Sequence, residues 1–343
     1  MAKVHGHYEP QFSKIKDILS QYVQSEEELG ACVCVNIDGK DVVDIWSGYT
    51  DTERTKEWQK DTIINVWSCS KTVTNLAVLI AHDRGLLDVH EKVSKYWPEF
   101  AQNGKEGVLV KHILSHSTGV AGWRPGITIE EACDVKTSTA KLAKQEPWWE
   151  PGTKSGYHAL NQGHLAGELI RRVTGKSLKQ FIADEIAGPL GADFQLGALE
   201  KDWDRISTLI PPPPLTADSG AGPIDPDSVA MKALTHPNPD ATFALTPTWR
   251  QAEIGAANGH GNARALVRIL SIISQGGELD GVRLLSPKTI ETIFEEQTNE
   301  VDLVLGKMLR FGIGYGLPCE TVPWLPGDGR LCFWGGWVST RSH

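Results

Sequence analysis

The sequence lacks the features that would tie the protein to a membrane or to nucleic acid. It has no run of roughly 18 or more apolar residues, which excludes a transmembrane helix. It has no stripe of lysine or arginine, and 43 acidic against 34 basic residues give a net charge of −9. This balance argues against nucleic acid and anionic membranes as partners. The first ten residues are polar, with no apolar core or cleavage signal, so the sequence predicts a cytoplasmic protein.

Patterns that bind metals or cofactors are absent as well. The six cysteines form no Cys-x-x-Cys pair and no Cys/His cluster at zinc spacing, which predicts buried free thiols. His112 and His116 have the spacing of metal ligands on a helix, but no third ligand is evident, so we predict structural roles for both. We therefore expect neither a metal nor a cofactor. A Gly-x-Ser-x-Gly motif is also missing, which disfavours the α/β-hydrolase route to esterase activity.

The clearest chemical signal is the pair Ser68 and Lys71, which lies between the extended apolar run Thr62–Trp67 and an apolar helix. Residues three apart share a helix face, so the Lys71 amine can take the proton of the Ser68 hydroxyl. The helix N-terminus also offers backbone N–H groups to an oxyanion that forms there. Two other Ser-x-x-Lys pairs lack this placement: Ser13/Lys16 and Ser138/Lys141.

Two further segments contain candidate site residues. Tyr157 follows the Pro-Gly turn at 150–152 and precedes a helix, so its hydroxyl can point at Ser68. A phenol beside a protonated lysine loses its proton more readily than usual, which suggests a proton relay; a packing role is the alternative. In the segment Trp334–Trp337, two glycines between tryptophans predict a strand that a substrate approaches closely. Such a strand can donate an N–H to an oxyanion, and a plain turn is the alternative.

Hydrophobic periodicity separates the chain into parts rich in strands and parts rich in helices. Asp38 and Gly39, between two strand-like runs, predict a β-hairpin. Residues 160–173 have helical periodicity and are followed by Gly175 as a C-cap. Residues 311–317 are strand-like. These patterns predict a sheet in residues 1–75 and 251–343 and mainly helices in residues 76–250.

The motifs, taken in order, resemble the serine β-lactamase-like superfamily, on the branch of the class C β-lactamases and family VIII carboxylesterases. They are Ser68-x-x-Lys71, the segment Leu114–Gly119, Glu150-Pro151-Gly152 with Gly156-Tyr157, and Trp334-Gly335-Gly336. The resemblance implies an α/β (α+β) fold, with an antiparallel sheet flanked by helices and an all-helical subdomain, in one catalytic domain over residues 1–343.

The same resemblance assigns roles to individual residues. Ser68 would be the acylated nucleophile, Lys71 would share or accept its proton, and Tyr157 would be the general base or proton relay. The backbone N–H groups of Ser68 and Trp337 would form the oxyanion hole, and the segment Trp334–Gly336 would line the substrate.

Three departures from the family pattern affect the predicted substrate and activity. Trp334 occupies the place of a lysine that holds a carboxylate in β-lactamases, and Ala159 occupies the place of an asparagine. Both changes favour uncharged esters over lactams. His158 could supply a polar contact to the substrate instead, with a structural role as the alternative. Relatives continue beyond Trp337 with further strands and a terminal helix, so the resemblance implies a chain truncated at its C-terminus.

The predicted function is a cofactor-free serine hydrolase, a carboxylesterase that cleaves short-chain esters through an acyl-enzyme on Ser68. Its partner would be a small-molecule ester. Three alternatives remain open at this point: an acyltransferase that uses the same residues, a weak β-lactamase or D-amino-acid peptidase, and an inactive, truncated relative. The natural ester and the oligomeric state do not follow from the sequence.

Overall fold

The computed structural model describes residues 3–211, 225–237 and 240–322. In these residues the strands are β1 His5–Tyr8, β2 Gly30–Ile37, β3 Lys40–Gly48, β4 Ile64–Asn65, β5 Phe194–Leu196, β6 Gly259–Gly261, β7 Glu278–Leu279, β8 Val282–Arg283, β9 Thr298–Val301, β10 Met308–Phe311 and β11 Gly316–Leu317. They form three-stranded sheets in the orders β1-β3-β2, β4-β6-β5 and β11-β10-β9, and β7 pairs with β8. The pairs between these strands are antiparallel, as predicted.

Helices of very different lengths connect and cover these sheets. In the described residues they are α1 Ser13–Gln24, α2 Ser70–Asp83, α3 Val93–Tyr96, α4 Val110–Leu114, α5 Ile129–Cys133, α6 Val135–Lys144, α7 Asn161–Thr174, α8 Leu178–Ile182, α9 Gly188–Leu190, α10 Val229–Thr235, α11 Pro247–Gln251, α12 Ala263–Ser274 and α13 Pro287–Ile293. The combination of antiparallel sheets with helices agrees with the predicted fold class. The division into parts at residues 75 and 250 stays a prediction.

The predicted hairpin is formed by β2 and β3. Asp38 and Gly39 have φ angles of +50° and +82°, the left-handed conformation that a two-residue hairpin turn requires. Strand β1, which the sequence analysis did not predict, pairs with the other edge of β3. Its four residues are all exposed, so the alternation of apolar and polar residues that reveals a half-buried strand is absent.

Helix α2 is the central helix of the described residues. Every residue from Ser70 to Ala81 is buried, which is the pattern of a helix that is covered on all sides. It packs against α7, α8, α12 and α13. The buried Asn75 is fully paired, because its Nδ2 donates to Gly314 O at 2.5 Å and its Oδ1 accepts from Gln162 at 2.6 Å. This enclosure fixes the position of Lys71 in the first turn of the helix and that of Ser68 just before it.

Two local predictions have different outcomes. Helix α7 ends at Thr174, and Gly175 caps it in the left-handed conformation with φ +75°, as predicted. The strand-like residues 311–317 are in strands only at their two ends, because a turn separates β10 from β11. A Cβ on Gly312 would lie 2.0 Å from Ile293 O, and Gly314 has φ +94°, so these glycines allow a tight turn against the neighbouring chain.

We expect that truncation of a core residue of α2 destabilises the whole fold. Leu76 is 0% exposed, so Leu76→Ala leaves a cavity and lowers the free energy of unfolding by about 2–5 kcal/mol. Leu86, which is 41% exposed, provides the matched control, and Leu86→Ala changes the same quantity by less than about 1 kcal/mol. Urea unfolding of both variants measures the difference, and equal losses would contradict the central position of α2.

Candidate active site

A strained turn presents Ser68 between strand β4 and helix α2. Residues Trp67–Cys69 form a 3-10 turn, and the α-helix begins at Ser70. Trp67 has φ +44°, a left-handed conformation that a bulky residue rarely adopts. Ser70 stabilises the turn, because its hydroxyl donates to Trp67 O at 2.5 Å and accepts from Gly259 N at 2.8 Å. The turn is therefore joined to strand β6.

The Lys71 amine lies in a fully buried cage of oxygen atoms. Its Nζ is 3.2 Å from Ser68 Oγ, 2.8 Å from Ala159 O and 2.9 Å from Ala256 O. Within the described residues no carboxylate pairs with it. Burial without a counter-charge disfavours the ammonium form and lowers the pKa of Lys71 from 10.5 to about 7. Near neutral pH a large share of the protein therefore has an uncharged amine beside Ser68.

Tyr157 provides the second contact to the nucleophile. Its hydroxyl donates to Ser68 Oγ at 2.7 Å, and Lys71 Nζ lies 4.8 Å from the centre of its ring. The sequence predicts that the lysine lowers the pKa of this phenol. That prediction is wrong, because burial raises the pKa of Tyr157 far above its ordinary value of 10.0. Tyr157 therefore keeps its proton at neutral pH.

Two buried histidines lie behind Tyr157. His158 Nδ1 lies 2.5 Å from Gly156 O and its Nε2 lies 2.6 Å from Thr118 Oγ1, so both ring nitrogens are bonded within the protein. Its backbone N–H donates to His116 Nδ1 at 3.1 Å. Burial lowers the pKa of His158 to about 4 and that of His116 well below 6.5, so both rings are neutral. The geometry disfavours the substrate contact expected for His158 and favours its structural alternative.

Tyr157 belongs to a cluster of apolar side chains. Its buried members are Ala121, Tyr157, Ala233 and Val304, and the partly buried Trp148, Trp149, Ala159 and Val229 pack against them. The predicted lining residues Trp334, Gly335 and Gly336, and the predicted oxyanion donor Trp337, lie outside the described residues. Their roles, and the role of the Ser68 N–H, stay predictions.

Several parts of the site gave no signal in the sequence. Ala159 and Ala256 act through their backbone oxygens, which any residue type has. Asp302 is fully buried, and its carboxylate accepts the backbone N–H of Tyr157 at 3.0 Å. It is distant in sequence from every recognised motif. Only a three-dimensional arrangement brings these groups to Ser68, Lys71 and Tyr157.

Comparison with known proteins places this geometry in a family. A family model described as Beta-lactamase matches residues 15–342. The chain belongs to the beta-lactamase family. The esterase/beta-lactamase LipL of Mycobacterium tuberculosis is 32% identical over 357 aligned residues, which cover 99% of this chain and 81% of that protein. This beta-lactamase family member therefore resembles that relative along almost its whole length.

Solved structures of the beta-lactamase family share its fold. A structure described as a family VIII carboxylesterase superposes with a TM-score of 0.85 and 36% identity, over 92% of this chain and 84% of that one. A penicillin-binding protein homologue from Caulobacter crescentus superposes with a TM-score of 0.83 and 32% identity, over 91% and 82%. These matches confirm the resemblance, the fold class and the serine hydrolase class predicted from the sequence.

The described residues were compared with the requirements of two other kinds of site, and they meet neither. None of the helices there combines the length and the apolar character needed to cross a bilayer. No group of three or more histidine, cysteine, aspartate or glutamate side chains in that part of the chain is arranged to hold a metal ion.

The close approach of α7 to residues 255 and 256 leads to a prediction about the lysine cage. A Cβ on Gly163 would lie 2.1 Å from Ala256 N, so Gly163→Ala must displace the segment whose carbonyl binds Lys71. Gly167, on the same helix, is the matched control, because its added Cβ meets only the Leu178 side chain, at 3.4 Å. We expect Gly163→Ala to lower the melting temperature and the rate of Ser68 acylation, and Gly167→Ala to change neither greatly.

Proposed function

We propose that the chain is a carboxylesterase that cleaves uncharged esters through an acyl-enzyme on Ser68. One observation carries the proposal: Ser68 Oγ lies within hydrogen-bond distance of both Lys71 Nζ, at 3.2 Å, and Tyr157 OH, at 2.7 Å. A hydroxyl is a weak nucleophile until a neighbouring base accepts its proton. The uncharged amine of Lys71 is such a base.

The acylation step follows from the lysine cage. With its amine neutral, Lys71 donates its two hydrogens to Ala159 O and Ala256 O, which leaves its lone pair for the Ser68 hydroxyl. As Ser68 Oγ attacks the ester carbonyl carbon, the proton moves to Lys71, and the same carbonyls bind the new ammonium. The protonated Tyr157 can then give its proton to the leaving alcohol oxygen and regain one from Lys71. In deacylation, water attacks the acyl carbonyl carbon while Lys71 accepts a proton from it, and that proton passes to Ser68 Oγ as the acid leaves.

The surroundings of the site favour an uncharged substrate. Tyr157 lies in a cluster of apolar side chains, among them Trp148 and Trp149. Trp334 and Ala159 replace the lysine and the asparagine that the family uses for charged and amide-bearing substrates. The family VIII structure is described as a carboxylesterase and LipL as an esterase/beta-lactamase, so both descriptions include ester cleavage. Preference for short acyl chains, a single catalytic domain and a cytoplasmic location are further proposals, and they rest on the sequence alone.

Labelling with a fluorophosphonate probe tests the nucleophile directly. We expect one adduct by intact mass on the native protein and none on Ser68→Ala. Ser13 is the matched control, because it also precedes a lysine by three residues, and Ser13→Ala should keep the adduct. An adduct that survives in Ser68→Ala, or no adduct on a protein that melts cooperatively, would contradict the proposal.

Parallel substrate assays separate the related reactions. An unlabelled sample of the same preparation is offered a short-chain p-nitrophenyl ester, the same ester with an alcohol acceptor, and nitrocefin. We expect ester hydrolysis to be the fastest reaction. A new ester as the main product would identify an acyltransferase, and comparable turnover of nitrocefin would identify a β-lactamase.

The pKa of Lys71 predicts the pH dependence of the reaction. Because the amine must be neutral to accept a proton, kcat/KM should rise about tenfold per pH unit below pH 7 and level off above it. The protein should keep its melting transition across this range, which excludes unfolding as the cause. A rate that is flat between about pH 5 and 8, or that falls as the pH rises, would rule out Lys71 as the base.

A further inference from the structure

Strand β9 and the turn that follows it hold the loop that contains Tyr157. Glu300 accepts the Ser155 backbone N–H at 3.1 Å and pairs with Lys154 Nζ at 2.6 Å. The Leu303 N–H donates to Ser155 O at 2.9 Å. Two residues further along the loop, the Tyr157 N–H donates to Asp302 Oδ1 at 3.0 Å. The loop is therefore bound along its length by one neighbouring segment.

The Asp302 side chain accepts three backbone hydrogen bonds in this part of the structure. It is 0% exposed, and its Oδ1 accepts not only from Tyr157 N but also from Val304 N and Leu305 N, each at 2.9 Å. Its other oxygen, Oδ2, has no hydrogen-bond partner among the described residues. One oxygen atom thus joins the backbone of Tyr157 to the turn after β9.

The turn also contributes a side chain to the apolar cluster of Tyr157. Asp302 and Val304 are buried, whereas Val301, Leu303 and Leu305 are 57%, 37% and 39% exposed. The buried Val304 belongs to the same cluster as Tyr157. The turn is therefore bonded to the backbone of Tyr157 and shares an apolar cluster with its side chain.

We propose that Asp302 is a positioning residue that holds the Tyr157 hydroxyl against Ser68 by anchoring the backbone of both the loop and the turn. The proposal rests on the proposed role of Tyr157. Without the carboxylate, three N–H groups lose their acceptor, two of them buried, and the turn must rearrange to satisfy them. Because a shift of about 1 Å in a catalytic group can cost a hundredfold in rate, a small displacement of Tyr157 is sufficient to slow the reaction.

A double-mutant cycle with Tyr157 tests this role. In the native background Asp302→Ala should lower kcat about 30-fold or more and change KM by less than about threefold. In the Tyr157→Phe background the same substitution should change kcat by less than about threefold, because the hydroxyl that it displaces is already absent. The rate of fluorophosphonate labelling, corrected for the folded fraction, serves as a second measure when turnover is slow.

Two variants control for a merely structural role. Asp302→Asn keeps the oxygen that accepts from the three N–H groups. Its NH2 group replaces Oδ2, which has no hydrogen-bond partner among the described residues, so no existing bond is lost. We therefore expect a kcat within about threefold of the native value. Glu300→Ala removes the ion pair with Lys154 and the hydrogen bond from the Ser155 N–H, which hold the same loop further from Tyr157. It should leave kcat within about threefold of the native value, even where it lowers the melting temperature.

The outcomes separate this proposal from the proposed function. Equal losses from Asp302→Ala in both backgrounds, a loss in Asp302→Asn as large as in Asp302→Ala, or the same loss in Glu300→Ala would each overturn the role of Asp302. Full activity in Ser68→Ala or Tyr157→Phe would instead overturn the proposed function itself. If Asp302→Ala does not melt cooperatively, Asp302→Glu, whose extra methylene shifts the oxygen, takes its place in the same cycle.

Discussion

The burial of the Lys71 amine without a carboxylate is the constraint on which the rest of the site depends. An ammonium in the protein interior is costly unless polar groups surround it, and here the ligands are two backbone carbonyls and the nucleophile itself. Those carbonyls come from the loop after Tyr157 and from the segment before β6. Both segments must therefore pack tightly against α2, and the contact between Gly163 and the backbone at Ala256 leaves no room for a Cβ.

This constraint also divides the proton chemistry between two residues. Burial shifts the pKa of Lys71 down to about 7 and the pKa of Tyr157 upward, so at neutral pH the uncharged form of each dominates or is substantially populated. An uncharged amine can accept a proton, and an uncharged phenol can donate one. Opposite shifts of pKa from the same cause thus suit Tyr157 to the proposed role of acid and Lys71 to the proposed role of base, both within hydrogen-bond distance of Ser68.

The sequence predicts the parts of this site that depend on side-chain type and local spacing. Ser68 and Lys71 follow from a three-residue spacing at a strand-to-helix junction, and the hairpin at Asp38 follows from its turn residues. The lowered pKa that the sequence predicts for Tyr157 is wrong, because burial raises it and the degree of burial is a tertiary property. The carbonyl of Ala256 and the carboxylate of Asp302 could not be predicted, since the first has no side-chain signature and the second belongs to no motif.

The two other Ser-x-x-Lys pairs explain why the spacing alone is a weak signal. Lys16 lies 3.1 Å from Asp17, and Lys141 lies 2.6 Å from Glu131. Each of these two amines therefore forms a salt bridge with a carboxylate. Lys71 differs because the strained turn at Trp67 and the buried start of α2 place its amine among neutral oxygens. The proposed base at Ser68 is therefore defined by what the fold keeps away from the lysine as much as by the lysine itself.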